Sequence, residues 1–247
     1  MQHRLISRLI ATRRMTRTLV PLSLALFLLA PAVFGQQTNV ARYDLFAGFT
    51  NLNSPKIGLV ENGFQMQFGV RPKTWYSIGF DYSRSTGDLT ITPDLLPTAL
   101  QQTLGAQLGG LAAAGRLPAG YKLVVPASST TQSFALGPQL AFRHFSRVTF
   151  FVRPSMGAIR EVATPNPQDP IAKAIVAGLA PTGRKVDWQG FYGVGYGFDI
   201  LFTNHFALRT QGDLVWDHLF NDILAQGRWT NRFSIGPCFN FGRNIAE

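Results

Sequence analysis

The chain has 247 residues, 46% of them hydrophobic and only 15% charged, with 20 Phe and 24 Gly. One domain is expected at this length, and the single cysteine, Cys238, excludes an internal disulfide. The formal charge of +10 falls to +5 without Arg4, Arg8, Arg13, Arg14 and Arg17, and no basic run interleaved with aromatics points to nucleic acid.

Residues 1–35 have the pattern of an export signal. The five arginines precede the apolar run Leu19–Phe34, no acid occurs before Asp44, and Val33 and Gly35 supply the small residues for cleavage after Gly35. As a membrane anchor the run is short against the ~20 residues a helix needs, and Pro31 breaks its end. Residues 36–247 are then expected to form one domain.

Beyond the signal no stretch is long and apolar enough for a membrane helix, but apolar and polar residues alternate with period two. In the segment starting at Phe64, the residues Phe64, Met66, Phe68 and Val70 share one face; Gln65, Gln67, Gly69 and Arg71 share the other. The next segment sets Tyr76, Ile78, Phe80 and Tyr82 against Ser77, Gly79, Asp81 and Ser83. Similar alternation runs over Tyr43–Phe49, Phe134–Phe142, Val148–Met156, Phe191–Ile200, Phe206–Trp216 and Arg232–Phe241. This makes about eight strands, each near the ~9–11 residues that cross a bilayer when tilted. Short connections around Arg71–Thr74, His144–Ser146 and Thr203–His205 alternate with long ones at 51–62, 86–131, 161–185 and 217–228. That alternation predicts an all-β, antiparallel up-and-down transmembrane barrel with short periplasmic turns and long outer loops.

A soluble barrel with an apolar interior is the competing fold. The second face decides between them: it carries Arg42, Asp44, Gln65, Gln67, Asp81, Gln139, Arg143, Arg153, Asp199, Arg209, Gln211, Asp213, Arg232 and Asn240. Gly, Ser, Gln, Arg and Asp without abundant Lys and Glu suit a narrow packed lumen. Pro138, Pro154 and Pro237 fall inside strands and predict bulges or bends, because proline removes a ladder donor.

The opening YDLFAGF, the Gly-rich GFYGVGYGFD, the strand ALRTQGDL and the final RFSIGPCFNFG together resemble the outer-membrane β-barrel superfamily, and are similar to the OmpA-like transmembrane domain. The resemblance covers about Ala41 to Gly242. It implies an outer-membrane barrel in contact with outer-membrane lipids and says little about a specific activity.

The long loops carry their own pattern. Pro93–Gly115 places Leu96, Leu100, Leu104, Leu108 and Leu111 on one helical stripe, with Thr92 as cap. In Asp169–Ala180, Asp169 caps, Pro170 opens the helix, and Ile171, Ala174, Ile175 and Leu179 form the stripe. Leu219, Phe220, Ile223 and Leu224 suggest a third short helix. These stripes are expected to pack on one another above the lumen; an exposed stripe would instead offer a surface for an unidentified ligand or protein.

Catalysis finds little support. His144 and His205 fall in short turns, and His218 between Asp217 and Asp222 has no serine nearby to activate and no fourth ligand for a metal. Gly193, Gly195 and Gly197 form GxGxG without the following helix a dinucleotide needs, so they are expected to relieve crowding inside the barrel. No catalytic residue, metal or cofactor is expected. The functional expectation is a structural or surface-binding barrel whose lumen is closed by Asp81, Arg153, Asp199, Arg209, Asp213 and Arg232 and by the loop helices. A narrow pore for small or apolar solutes is the alternative, and an outer-leaflet lipid-modifying enzyme a more distant one.

Overall fold

The structure, a computed structural model, describes residues 37–224 and 227–246. The predicted signal segment lies outside the described residues. Eight strands follow in order: β1 (Ala41–Ser54), β2 (Leu59–Lys73), β3 (Tyr76–Ile91), β4 (Val125–Phe142), β5 (Val148–Pro165), β6 (Lys185–Leu201), β7 (Phe206–Asp217) and β8 (Arg228–Asn244). Each pairs antiparallel with the next, and β8 pairs with β1, closing the barrel.

Tracing paired residues from Leu45 through Phe68, Phe80, Leu136, Met156, Tyr192 and Trp216 leads to Trp229 on β8. Asn231 pairs with Asn53, so Trp229 stands level with residue 55, ten residues beyond the start. Such a stagger over eight strands tilts them by about 40° to the barrel axis and leaves an interior that side chains can fill.

The polarity is inside out. Phe68, Ile78, Val152 and Val194 stand exposed on the outside, as the alternation predicts, and Met156 is 70% exposed. Gln67, Asp81, Arg153 and Asp199 are buried inside. An apolar outer surface around a polar interior is stable only where the surrounding solvent is itself apolar.

Several expectations need correction. The strands run further towards the long-loop end than the conspicuous alternation suggested. The expected loop at 51–62 is mostly strand, turned by a single 3-10 turn, Pro55–Ile57, that ends on Gly58 at φ 63°. Arg42 points outward rather than into the lumen, because the register of β1 against β8 shifts between Ala41 and Tyr43. The interior prolines cause no register shift. Leu136 pairs with Met156 and Leu140 with Val152 in one unbroken register, and Pro138 and Pro154 share the unpaired interval between them. Facing each other, the two residues without N–H confine the missing ladder bonds to one place in the β4–β5 pair. Pro237 remains in register with Leu208.

The first loop helix, α1, spans Thr98–Ala113 and not the whole of Pro93–Gly115. Pro93–Leu95 is a separate 3-10 turn, and Thr92 makes no side-chain cap bond. Pro97 explains the break: its ring would clash with the carbonyl four residues back, at Pro93. The second helix, α2, spans Pro170–Leu179 and is capped as expected, with Asp169 Oδ1 accepting from the N–H groups of Ile171 and Ala172 at 2.9 and 2.8 Å. Its buried face centres on Ala172, while Ala174 is exposed. The third expected helix is absent from the described residues: residues 219–223 form turns, with Phe220 at φ 57°.

Candidate functional site: a closed lumen beneath a loop cap

Inward-facing side chains fill the barrel in layers. The layer nearest the short turns is built around Arg209 on β7. Its Nε donates to Asp199 Oδ1 at 2.7 Å and its Nη2 lies 2.9 Å from Asp44 Oδ2. Arg209 Nη1 donates to Gln67 Oε1 at 3.3 Å, and the guanidinium sits 5.0 Å from the Phe151 ring centre and 5.8 Å from that of Phe46. Arg71 completes the layer, 3.4 Å from Asp44 Oδ1, and donates to Asn240 Oδ1. Arg143, half-buried at the edge of this layer, adds a third cation, so three arginines face two aspartates.

The middle layer is a ring of four. Arg153 Nη2 lies 2.8 Å from both Asp81 Oδ2 and Asp213 Oδ1. Arg232 Nη2 faces the same two residues at 3.1 and 2.9 Å, and its Nη1 donates to Ser83 and Ser133. Gln65 donates to Asp81 Oδ2 and accepts from Gln211. Charge balances within this ring, which is the condition for burying ions in a medium of low polarity. Gly195 borders this ring: a Cβ there would stand 2.2 Å from Asp213 Oδ1 and 2.9 Å from Arg153. Among the three glycines of the GxGxG run, this one makes room for the charge network.

Sequence reasoning named six residues for one network; the structure distributes them over two layers. Asp81, Arg153, Asp213 and Arg232 come together, and Asp199 and Arg209 join Asp44 and Arg71. A third group was not foreseen. Arg228 pairs with Glu161 and, at 3.0 Å, with Asp217, which also accepts from Thr230. Glu161 and Arg228 lie where loops were expected. Glu161 keeps the inward parity of Arg153, however, so continuing the period of two would have found it. Glu61 shares this level, fully buried, with neither carboxylate oxygen hydrogen-bonded.

Towards the long-loop end the lumen turns apolar. Leu52, Leu59, Leu89, Ile159, Phe191 and Val215 form a core with Leu219, Phe220 and Leu224 of the last loop. That loop therefore folds into the barrel mouth rather than joining the helices. The helices pack on each other and on the strand ends. Leu96, Leu104, Leu123, Val125 and Ala172 are buried together, with Leu100, Leu108, Ile175 and Val176 against them. Leu111 lies half exposed outside this cluster. Between the helices a cavity of about 60 Å³ is lined by residues including Leu96, Leu104, Ile175, Val176 and Ile223.

The histidine candidates do not converge. His218 stacks edge-on against Trp216 while Asp217 is held by Arg228 and Asp222 by Lys185. Among the described residues no group of three His, Cys, Asp or Glu is placed to hold a metal.

No protein-family model matches the sequence, and no curated protein matches it. Solved structures do match in fold. Neisserial surface protein A superposes with a TM-score of 0.50 at 11% identity, covering 81% of this chain and 96% of its own. Ail, the attachment invasion locus protein of Yersinia pestis, gives 0.45 at 8% identity over 82% and 99% of the two chains. The N-terminal β-barrel domain of Pseudomonas aeruginosa OprF gives 0.40 at 12% identity over 84% and 100%. The closed antiparallel order of eight strands, the polarity turned inward and the likeness to Neisserial surface protein A together give this chain the fold of the eight-stranded outer-membrane β-barrels.

Proposed function

We propose that the protein is an integral outer-membrane barrel with a structural or surface-binding role and a lumen closed to solutes. The observation that carries this reading is the double seal: two ion-paired layers, Asp44–Arg71–Asp199–Arg209 with Arg143 at its edge and Asp81–Arg153–Asp213–Arg232, lie beneath the apolar core around Phe191 and Phe220. An open channel needs a continuous wet path, and the paired side chains span the interior where one would run. The dispersed partners of His218 support a non-catalytic role. Lipids of the outer membrane are the expected surroundings, and residues 1–35 would direct export and be cleaved after Gly35.

Planar-bilayer recording of the refolded protein tests the reading. Wild type is expected to show conductance near zero; a large, steady conductance would transfer the case to the narrow-pore alternative. N-terminal sequencing of protein from outer membranes should begin at Gln36, and retention of residues before Leu19 would overturn the signal segment.

A further inference from the structure

Most of the outer surface of the barrel is apolar, but one row of paired residues crosses β3, β4, β5 and β6 as Arg84, Gln132, Arg160 and Trp188. All four stand on the outside. Arg160 donates from Nη1 to Gln132 Oε1 at 3.1 Å and lies over the Trp188 ring at 5.7 Å. That contact leaves the Gln132 amide N–H groups free to donate. The Arg84 side chain has no ion pair or hydrogen bond among the described residues.

The height of this row matters. On β5, Arg160 stands ten residues from Phe150, and the next outward rows below it are Tyr82–Phe134–Ala158 and Phe80–Leu136–Met156. At ~3.3 Å rise per residue and a tilt of about 40°, ten residues span about 25 Å, the height of an apolar band in such barrels. The arginines therefore mark its upper rim, where headgroups begin. Outward residues of the neighbouring rows on β3 to β6 include no acid: Thr86, Thr130, Val162 and Val186 stand above, and Tyr82, Phe134, Ala158 and Gly190 below. Elsewhere around the upper rim the strands present Asn51, Asn62, Trp216, Trp229 and Asn231, which are uncharged. A general interfacial anchor would distribute cations around the barrel; here they are gathered two strands apart, about 10 Å, with an amide between them.

We propose that Arg84, Gln132 and Arg160 form a seat for the phosphate of an outer-leaflet lipid headgroup. Arginine forks match phosphate oxygens, and the stack on Trp188 fixes one fork in advance. The inference rests on the membrane reading above.

The test inserts the barrel into phosphatidylcholine vesicles doped with graded amounts of lipid A, a phosphorylated glycolipid, and counts lipid retained after extraction by native mass spectrometry. Wild type should retain lipid A. Arg84→Gln with Arg160→Gln should weaken retention roughly 30-fold, at about fivefold for each arginine near a charged surface. Arg42→Gln with Arg147→Gln, at the opposite rim, should leave it unchanged. The proposal is overturned if wild type retains none, if the first double variant retains as much as wild type, or if the opposite-rim variant loses as much. It is also overturned if dephosphorylated lipid A is retained equally, or if inorganic phosphate at matching concentration displaces the lipid. Failure to insert would strike the membrane reading itself; insertion without retention strikes only this seat.

Discussion

Arg209 shows what a single side chain does in this lumen. It is fully buried, clamps Asp199 and Asp44, and lies between Phe46 and Phe151. Arg209→Ala strips Asp199 of its ion-pair partner and leaves Asp44 with Arg71 alone, and breaking a buried pair costs ~3–5 kcal/mol. Urea unfolding of the protein in lipid vesicles should show a midpoint reduced accordingly, and an unchanged midpoint would mean that the layer is wet. Glu61 is the opposite case. It is buried with neither oxygen bonded, close to the Glu161–Arg228 group. A buried unsatisfied group costs ~1–3 kcal/mol. Glu61→Gln replaces the ionisable carboxyl by a neutral amide of the same shape and should leave stability equal or higher in the same assay. A loss as large as that of Arg209→Ala would show that the carboxylate has a partner essential to the fold.

At the scale of elements, the strands were legible wherever alternation was strong, and their ends were not. Between Gly157 and Pro165 the inward positions change from polar to Ile159, Glu161 and Ala163, so the contrast between faces fades although the backbone continues as strand. The loop helices were legible as apolar stripes, but Pro97 overrode the stripe at one end, and the segment after Asp217 was claimed by the barrel core before it could form a helix. The lumen pairs were legible by charge and parity; their division into layers depends on the stagger of ten residues, which no single strand contains. Val194 stands outward in the middle of the belt, paired with Pro154 and Leu214. Val194→Arg should cost ~2–4 kcal/mol of insertion stability, and refolding as efficient as wild type would place that face elsewhere. In the loop cap, the N–H of Ala172 holds the Asp169 carboxyl below its ordinary value of 3.8. A lowered value means the cap stabilises α2 fully above the ordinary carboxylate range and is lost as pH falls through the folded value. Protease cleavage within 170–179 should therefore be slow at neutral pH and rise only in acid below that range. Asp169→Ala should make it fast at every pH.

At the scale of the whole molecule, closure is shared between chemistries that fail under different conditions. The charge layers are held by ion pairs between strands far apart in sequence, such as Arg153 with Asp81 and Arg232 with Asp81. The apolar layer joins the upper strand ends to the last loop through Leu219, Phe220 and Leu224. A lesion in one layer leaves the other intact. Arg153→Ala with Arg232→Ala should destabilise the barrel while conductance stays near zero, because Phe191 and Phe220 still block the outer mouth. Shortening the loop by removing residues 219–224 should likewise give no steady current, because the four-residue ring and the Arg209 layer remain below. Removing the loop together with Arg153, Arg232 and Arg209 should produce discrete openings, since water can then reach from one mouth to the other. Planar-bilayer recordings on the three variants decide the matter. If the loop deletion alone opens a steady path, the charge layers are hydrated and do not seal. If the combined variant inserts, keeps its strand content and still carries no current, the remaining interior side chains fill the lumen without help from either layer.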